Sequence, residues 1–387
     1  MIRVKTGLIR PGCAQGRYLI QARGFMLAAL RWGNAQGPLE QWGMLAYVPI
    51  DPAGNGSFFF SGGRAIPAGA THVWARCYTH GLTAFEDAAA EIPERFILPD
   101  AFPEDALRFS ALSDLHLSSK PWRIIRALAS TESDTVFLPG DLTNDGLPEQ
   151  FDRFRACIGK SIPDKTVFPV IGNHDVLHTA RENGADGCKN YAAFQEGLLA
   201  KAEENGYDVH LAPDGRAYAV RIGDLDVIGL QCVTAGRVFR FPEEAQIDWL
   251  EEHLKAGEAS RHIILCHAPL LAHNPNRSTG QPYLHKDRRI QEIVNRSGRI
   301  LFLSGHTHVS PNVSGGNGEY DREHQNIYLD CGSAAATDTS GENGLMSADW
   351  KDGCRTELAV AGNEIEIRMH SVESGIGFPR GYYRFPF

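Results

Sequence analysis

The tetrapeptide Gly172-Asn173-His174-Asp175 follows the apolar run Thr166-Val167-Phe168-Pro169-Val170-Ile171, so its polar side chains stand where a buried strand ends. Two upstream segments repeat the pattern. Leu107 to Ser113 runs into Asp114-Leu115-His116, and Asp134 to Leu138 runs into Gly140-Asp141. Two downstream segments do the same: His262 to Cys266 runs into His267, and Arg299 to Leu303 runs into Gly305-His306-Thr307-His308. Short apolar runs bounded by turn residues read as buried strands. In open α/β sheets ligands bind at the carboxyl ends of the strands. Five such ends bring seven nitrogen and oxygen side chains to one edge, which describes a metal site with donors enough for two ions.

Around these strands, from Leu107 on, the sequence alternates strands with helical periodicity. Lys120 to Ser130 places Trp122, Ile125 and Ala129 on one face, Pro148 to Ile158 places Phe151, Phe154 and Ile158, and Pro242 to Leu254 places Ile247, Leu250 and Leu254. Pro242 suits a first helical turn. Lys189 to Glu204 and Lys286 to Asn295 read as further helices. Gly223-Asp224 between Ala217–Ile222 and Leu225–Leu230 signals a hairpin. Gly362-Asn363 separates Arg355–Val360 from Glu364–His370, where alternation of Ile365, Ile367 and Met369 predicts a strand with one buried face. The aromatic tail Tyr382 to Phe387 is expected to dock on this body.

Residues 1–97 have a different texture. Candidate strands at Arg17–Leu30, Trp42–Val48, Ser57–Phe60 and Thr71–His80 are separated by Gly-, Pro- and Asn-rich turns, the pattern of a small β-sandwich. Residues 90–106 read as the connection, and residues 107–387 as the ligand-bearing domain. The N-terminal domain has no donor cluster, so packing or oligomerisation is its expected role, with substrate gating as the alternative.

Two divalent ions ~3.5–4 Å apart need donors from several directions and one shared anionic oxygen. Asp141, a small carboxylate after a glycine, suits the bridge. Asp114 and His116, two apart on an extended segment, can chelate one ion; Asn173 offers a neutral oxygen; His267, His306 and His308 add imidazoles. An imidazole-rich set suits Mn, Fe, Zn or Ni better than Mg or Ca.

Asp114-x-His116, Gly140-Asp141, Gly172-Asn173-His174-Asp175, His267 and Gly305-His306-Thr307-His308 resemble the five signature blocks of the calcineurin-like metallophosphoesterases, over about residues 107–371. The resemblance implies a four-layer αββα sandwich, an α/β fold, here preceded by the small β-sandwich. It implies one metal on Asp114, His116, Asp141 and His308, and a second on Asp141, Asn173, His267 and His306. His174 matches the histidine near the leaving group, acting as general acid or oxyanion stabiliser and held by Asp175. Purple acid phosphatases also carry a β-sandwich before this domain, but have a tyrosine three residues after the Gly-Asp aspartate. Asn144 stands there in this chain, which removes the tyrosinate ligand and points toward the cyclic-nucleotide phosphodiesterase-like members.

The resulting expectation is a phosphoesterase using two divalent transition-metal ions, with metal-activated hydroxide as nucleophile and a small phosphodiester of nucleotide or glycerophosphodiester type as substrate. Monoester or pyrophosphate hydrolysis is the alternative within the family, and a non-catalytic metal-binding scaffold the alternative outside it. His178, Arg181 and Lys189, and also Arg277, Tyr283 and His285, read first as solvated loop, with phosphate contact as the second reading. The net charge of −9 argues against a surface that coats extended nucleic acid. No apolar run approaches spanning length, so no membrane partner is expected. Eight scattered cysteines with no paired spacing read as buried, reduced hydrophobes. Met1 to Lys5 leads into no apolar core of signal-peptide type, and a cytoplasmic location is the expectation. A homo-oligomer is compatible with an N-terminal edge strand.

Overall fold

A computed structural model describes residues 2–8, 16–39, 45–60, 69–92, 102–117, 121–177, 189–231, 244–257, 259–274, 282–309, 311, 317–335, 353–372 and 377–387. The chain divides into two compact units, Met1–Phe102 and Pro103–Phe387.

The described residues of the first unit form eight strands: β1 (Ile2–Leu8), β2 (Gly16–Ala22), β3 (Leu27–Asn34), β4 (Gly37–Pro38), β5 (Ala46–Pro49), β6 (Asn55–Phe60), β7 (His72–Tyr78) and β8 (Phe85–Glu91). One sheet has the order β1-β2-β6, the other β4-β3-β7-β8 with β5 also on β3. Tyr18 and Ile20 from the first sheet pack with Leu30, Trp32, Val73 and Ala75 from the second, which makes the unit a sandwich. The expected strand Arg17–Leu30 is two strands, because the chain turns at Gly24, whose φ of +84° favours a residue lacking Cβ. The strand at Phe85–Glu91 lies in a segment the sequence analysis left unassigned up to residue 90. Its burial is low and its pattern weak, so pairing with β7 rather than apolar periodicity defines it. The first part of the expected strand at Trp42 lies outside the described residues.

The second unit contains two sheets. The first sheet uses β9 (Leu107–Ala111), β10 (Thr135–Pro139), β11 (Thr166–Val170), β19 (Cys354–Ala361), β20 (Glu364–Ser371) and β21 (Gly377–Pro386), in the order β11-β10-β9-β19-β20-β21. The second uses β12 (Val209–Leu211), β13 (Tyr218–Ile222), β14 (Leu225–Gly229), β15 (Arg261–Leu265), β16 (Ile300–Ser304), β17 (Gly318–Asp321) and β18 (Asn326–Asp330), in the order β12-β13-β14-β15-β16-β18-β17. Each sheet contains a parallel block: β11, β10 and β9 along one side of the first, and β14, β15, β16 and β18 in the middle of the second. Phe109, Phe137 and Phe168 of the first sheet pack against Val227, Ile263, Leu301 and Ile327 of the second. Helices α1 (Pro121–Ala129), α2 (Pro148–Ser161) and α3 (Lys189–Glu204) cover the outer face of the first sheet. Helices α4 (Glu244–Ala256) and α5 (Asp287–Ser297) cover the second. The layering is αββα, as the motif resemblance implies.

Three details depart from expectation. Helix α1 buries Ile124, Ala127 and Leu128, while Trp122 is 50% exposed; Arg123 and Arg126 lie over its ring, which stabilises the indole at the surface. Strand β20 is buried on both faces, because Glu366 and Arg368 pair with each other. Pro242 lies outside the described residues, and α4 begins at Glu244. The tail forms β21 on β20. Cys77, Cys157, Cys266, Cys331 and Cys354 are buried.

Candidate metal centre

Parallel pairing aligns strand ends, so the residues after β9, β10, β11, β15 and β16 meet on the same side of the second unit. Asp114, His116, Asp141 and His308 form one group of mutually close donors, and Asp141, His267 and His306 form another. Asp141 belongs to both. Its Oδ2 lies 3.8 Å from His116 Nε2 and 3.3 Å from His267 Nε2. Its Oδ1 accepts the His174 N–H at 2.8 Å, which fixes the carboxylate's direction. Asp114 Oδ1 lies 3.0 Å from His308 Nε2, and Asn173 Oδ1 lies 3.1 Å from His306 Nδ1 and 3.3 Å from His267 Nε2.

Backbone geometry makes this convergence possible. Asp114, His116, Asp141, His306 and His308 all have left-handed φ, between +47° and +68°. Of the eight non-glycine residues with positive φ among the described residues, these are five. Such conformations cost on the order of 1–3 kcal/mol each and concentrate at functional sites. Close approach is equally specific. A Cβ on Gly172 would lie 2.1 Å from Asp141 Oδ1, and one on Gly305 would lie 1.8 Å from Ser113 Oγ.

The donor chemistry fits divalent ions. His116 Nε2 and His308 Nε2 face each other at 3.0 Å, so a cation or proton must separate their lone pairs. His267 Nδ1 donates to the Pro139 carbonyl at 2.7 Å, which leaves Nε2 as the atom aimed at Asp141. In the protein alone, burial raises the Asp114 carboxyl but His308 outweighs it, for a net value of about 2. Asp141 is held below the carboxylate range, with His267 overcoming burial. Burial pushes His267 down, Asp141 pushes it further up, and it reaches about 10. Burial and then His267 drive His306 down to about 3, which keeps its imidazole neutral. Anionic oxygens and neutral nitrogens are the forms that bind a metal, so an ion here would displace the proton that His267 carries in the protein alone.

His174 stands beside the first group, its ring edge-on to His116 with centroids 4.6 Å apart. Its Nδ1 donates to the Asn144 carbonyl at 2.8 Å, so Nε2 is the atom free to exchange a proton. The expected hold by Asp175 is replaced by this backbone contact. Asp175 points the other way and accepts from the N–H groups of Leu142, Thr143 and Gly172 and from Thr143 Oγ1. Burial raises its carboxyl to about 6. Asp175 thus fixes the turn carrying Asp141.

Of the additional candidates, Tyr283 reaches the centre: its ring meets His306 edge-on at 4.4 Å. His285 and Lys189 are exposed. His178, Arg181 and Arg277 lie outside the described residues. Two residues beside the centre were missed by sequence reasoning. Thr307, between the two histidines, donates its Oγ1 hydrogen to Asp330 Oδ2 at 2.8 Å. Asp330 ends the apolar strand Asn326-Ile327-Tyr328-Leu329, the same signal that marked the other five strand ends.

The sequence profile of the calcineurin-like phosphoesterases matches residues 107–310, more than half of the chain, and the chain belongs to that family. No curated protein matches it. Solved structures resemble it distantly. PhoD is 11% identical over 98% of this chain and 91% of its own, with a TM-score of 0.46. GAP50, the anchor in the inner membrane complex of Plasmodium, is 15% identical over 73% and 88%, with a TM-score of 0.45. Vps29 from Entamoeba histolytica, complexed with zinc, is 12% identical over 72% and 99%, with a TM-score of 0.30. Among the described residues no helix is long and apolar enough to cross a membrane.

Proposed function

We propose that the chain is a dinuclear metal-dependent phosphoesterase whose substrates are small phosphodiesters. The observation that carries this reading is the shared carboxylate: Asp141 Oδ2 stands between the two donor groups. Asp114, His116, Asp141 and His308 would hold one ion, and Asp141, Asn173, His267 and His306 the other. When bound, such a pair supplies Lewis-acid charge for the phosphate oxygens and lowers the pKa of water. The protein's own part is to orient and to move protons. His174 Nε2, with Nδ1 anchored on Asn144, is placed to protonate a departing alkoxide or to stabilise charge on phosphate oxygen. Asn144 in place of a tyrosine argues against a purple ferric centre. The net charge of −9 favours a small substrate over long nucleic acid.

The test is hydrolysis of bis-p-nitrophenyl phosphate against p-nitrophenyl phosphate with Mn, Zn, Ni and Fe supplied in turn. Faster turnover of the diester, abolished by Asp141→Asn, is expected. A preference for the monoester moves the protein to the phosphatases. No turnover with any metal, in a chain that binds two ions, favours the scaffold alternative.

A further inference from the structure

We propose that Asp330 is a positioning residue for the metal centre, acting through the Thr307 hydroxyl on the histidines at either side of it. This rests on the reading of His306 and His308 as metal ligands. Gly305–His308 is an awkward turn. His306 and His308 are both left-handed, with φ of +68° and +54°, a region that crowds any residue with a Cβ. The turn sends His306 to the donor group of His267 and His308 to that of His116. One turn therefore supplies a ligand to each ion.

Thr307 closes that turn. Its N–H donates to the Gly305 carbonyl at 2.8 Å. Its Oγ1 accepts the Val309 N–H at 3.2 Å and donates to Asp330 Oδ2 at 2.8 Å. Asp330 Oδ1 accepts the Gly332 N–H at 2.9 Å. Asp330 is 2% exposed and pairs in register with Ser304, the last residue of β16. The carboxylate thus stands on the sheet itself, directly before the turn it holds. A buried carboxylate is costly unless hydrogen bonded, and these bonds satisfy it only in this turn conformation. The same device recurs at the bridging ligand, where Thr143 Oγ1 donates to buried Asp175 at 2.9 Å and Asp141 has φ of +51°. Partners that orient metal ligands in this way typically change affinity ~10- to 100-fold.

The test is Co2+ binding by the full chain, read by calorimetry and by the cobalt d–d spectrum, in wild type, Thr307→Val, Thr307→Ser, Asp330→Ala and Asp330→Asn. Urea unfolding of each metal-free protein checks that it is folded. Thr307→Val and Asp330→Ala should weaken both ions together, ~10- to 100-fold, with an altered spectrum. Thr307→Ser, which keeps the hydroxyl, and Asp330→Asn, whose amide can donate to Thr307 Oγ1, should stay within a few fold of wild type. The double variant Thr307→Val/Asp330→Ala should lose no more than either single one. A wild type that binds no Co2+ overturns the metal reading and this proposal with it. A wild type that binds two ions, with Thr307→Val and Asp330→Ala equally tight, overturns this proposal alone. So does a Thr307→Ser variant as weak as Thr307→Val.

Discussion

His174 stands beside the seven proposed ligands but belongs to neither donor group, and its Nδ1 is fixed on the Asn144 carbonyl. A proton donor matters in proportion to the basicity of the leaving group. His174→Ala should therefore lower kcat for an alkyl diester ~10²- to 10⁴-fold, and far less for bis-p-nitrophenyl phosphate, whose phenolate leaves unaided. Steady-state rates on both substrates check this; equal losses would mean that His174 acts on binding or structure. The convergence of these donor side chains was legible in the sequence because each follows an apolar strand directly. The orientation of Asp175 was not, because adjacency to His174 says nothing of the direction its carboxylate takes. It turns toward the Leu142, Thr143 and Gly172 N–H groups, which come from other segments of the chain or from three residues back.

At the scale of elements, α4 is joined to β14 by a hydrogen bond of 2.9 Å between His253 Nε2 and Asp226 Oδ2, with Arg221 and His262 also near the carboxylate. Burial alone would raise the Asp226 carboxyl, but the His253 bond outweighs it and the net shift is downward. A folded pKa below the unfolded value of ~3.9 contributes stability above about pH 4 that is lost as pH falls further. His253→Ala should thus destabilise by about 1 kcal/mol at pH 6 and by much less at pH 3, measured by urea unfolding. An equal loss at both pH values would assign the effect to packing. The helices themselves were readable from periodicity, and α3 matches its expected span of Lys189–Glu204. The face of α1 was not, since Trp122 scores as apolar yet is stacked with arginines at the surface. Nor was the second buried face of β20, because Glu366 and Arg368 look solvated until each is seen to be the other's partner.

For the whole molecule, five strands from two sheets assemble one centre, so no single segment carries the site. That is why the αββα layering and the donor set were legible together: the same apolar runs that build the inter-sheet core end on the ligands. The N-terminal sandwich was legible as a class but not in its strand boundaries, where short strands such as Ala46–Pro49 and weakly patterned ones such as Phe85–Glu91 are defined by pairing. The two-ion centre rests on Asp141 serving both donor groups. Metal content per chain, measured after loading with Mn2+ and gel filtration in wild type and Asp141→Asn, tests it most directly. Close to two ions in wild type and at most one in Asp141→Asn is the expected result. A wild type that retains a single ion, or an Asp141→Asn variant that still holds two, contradicts a shared carboxylate at the heart of the site.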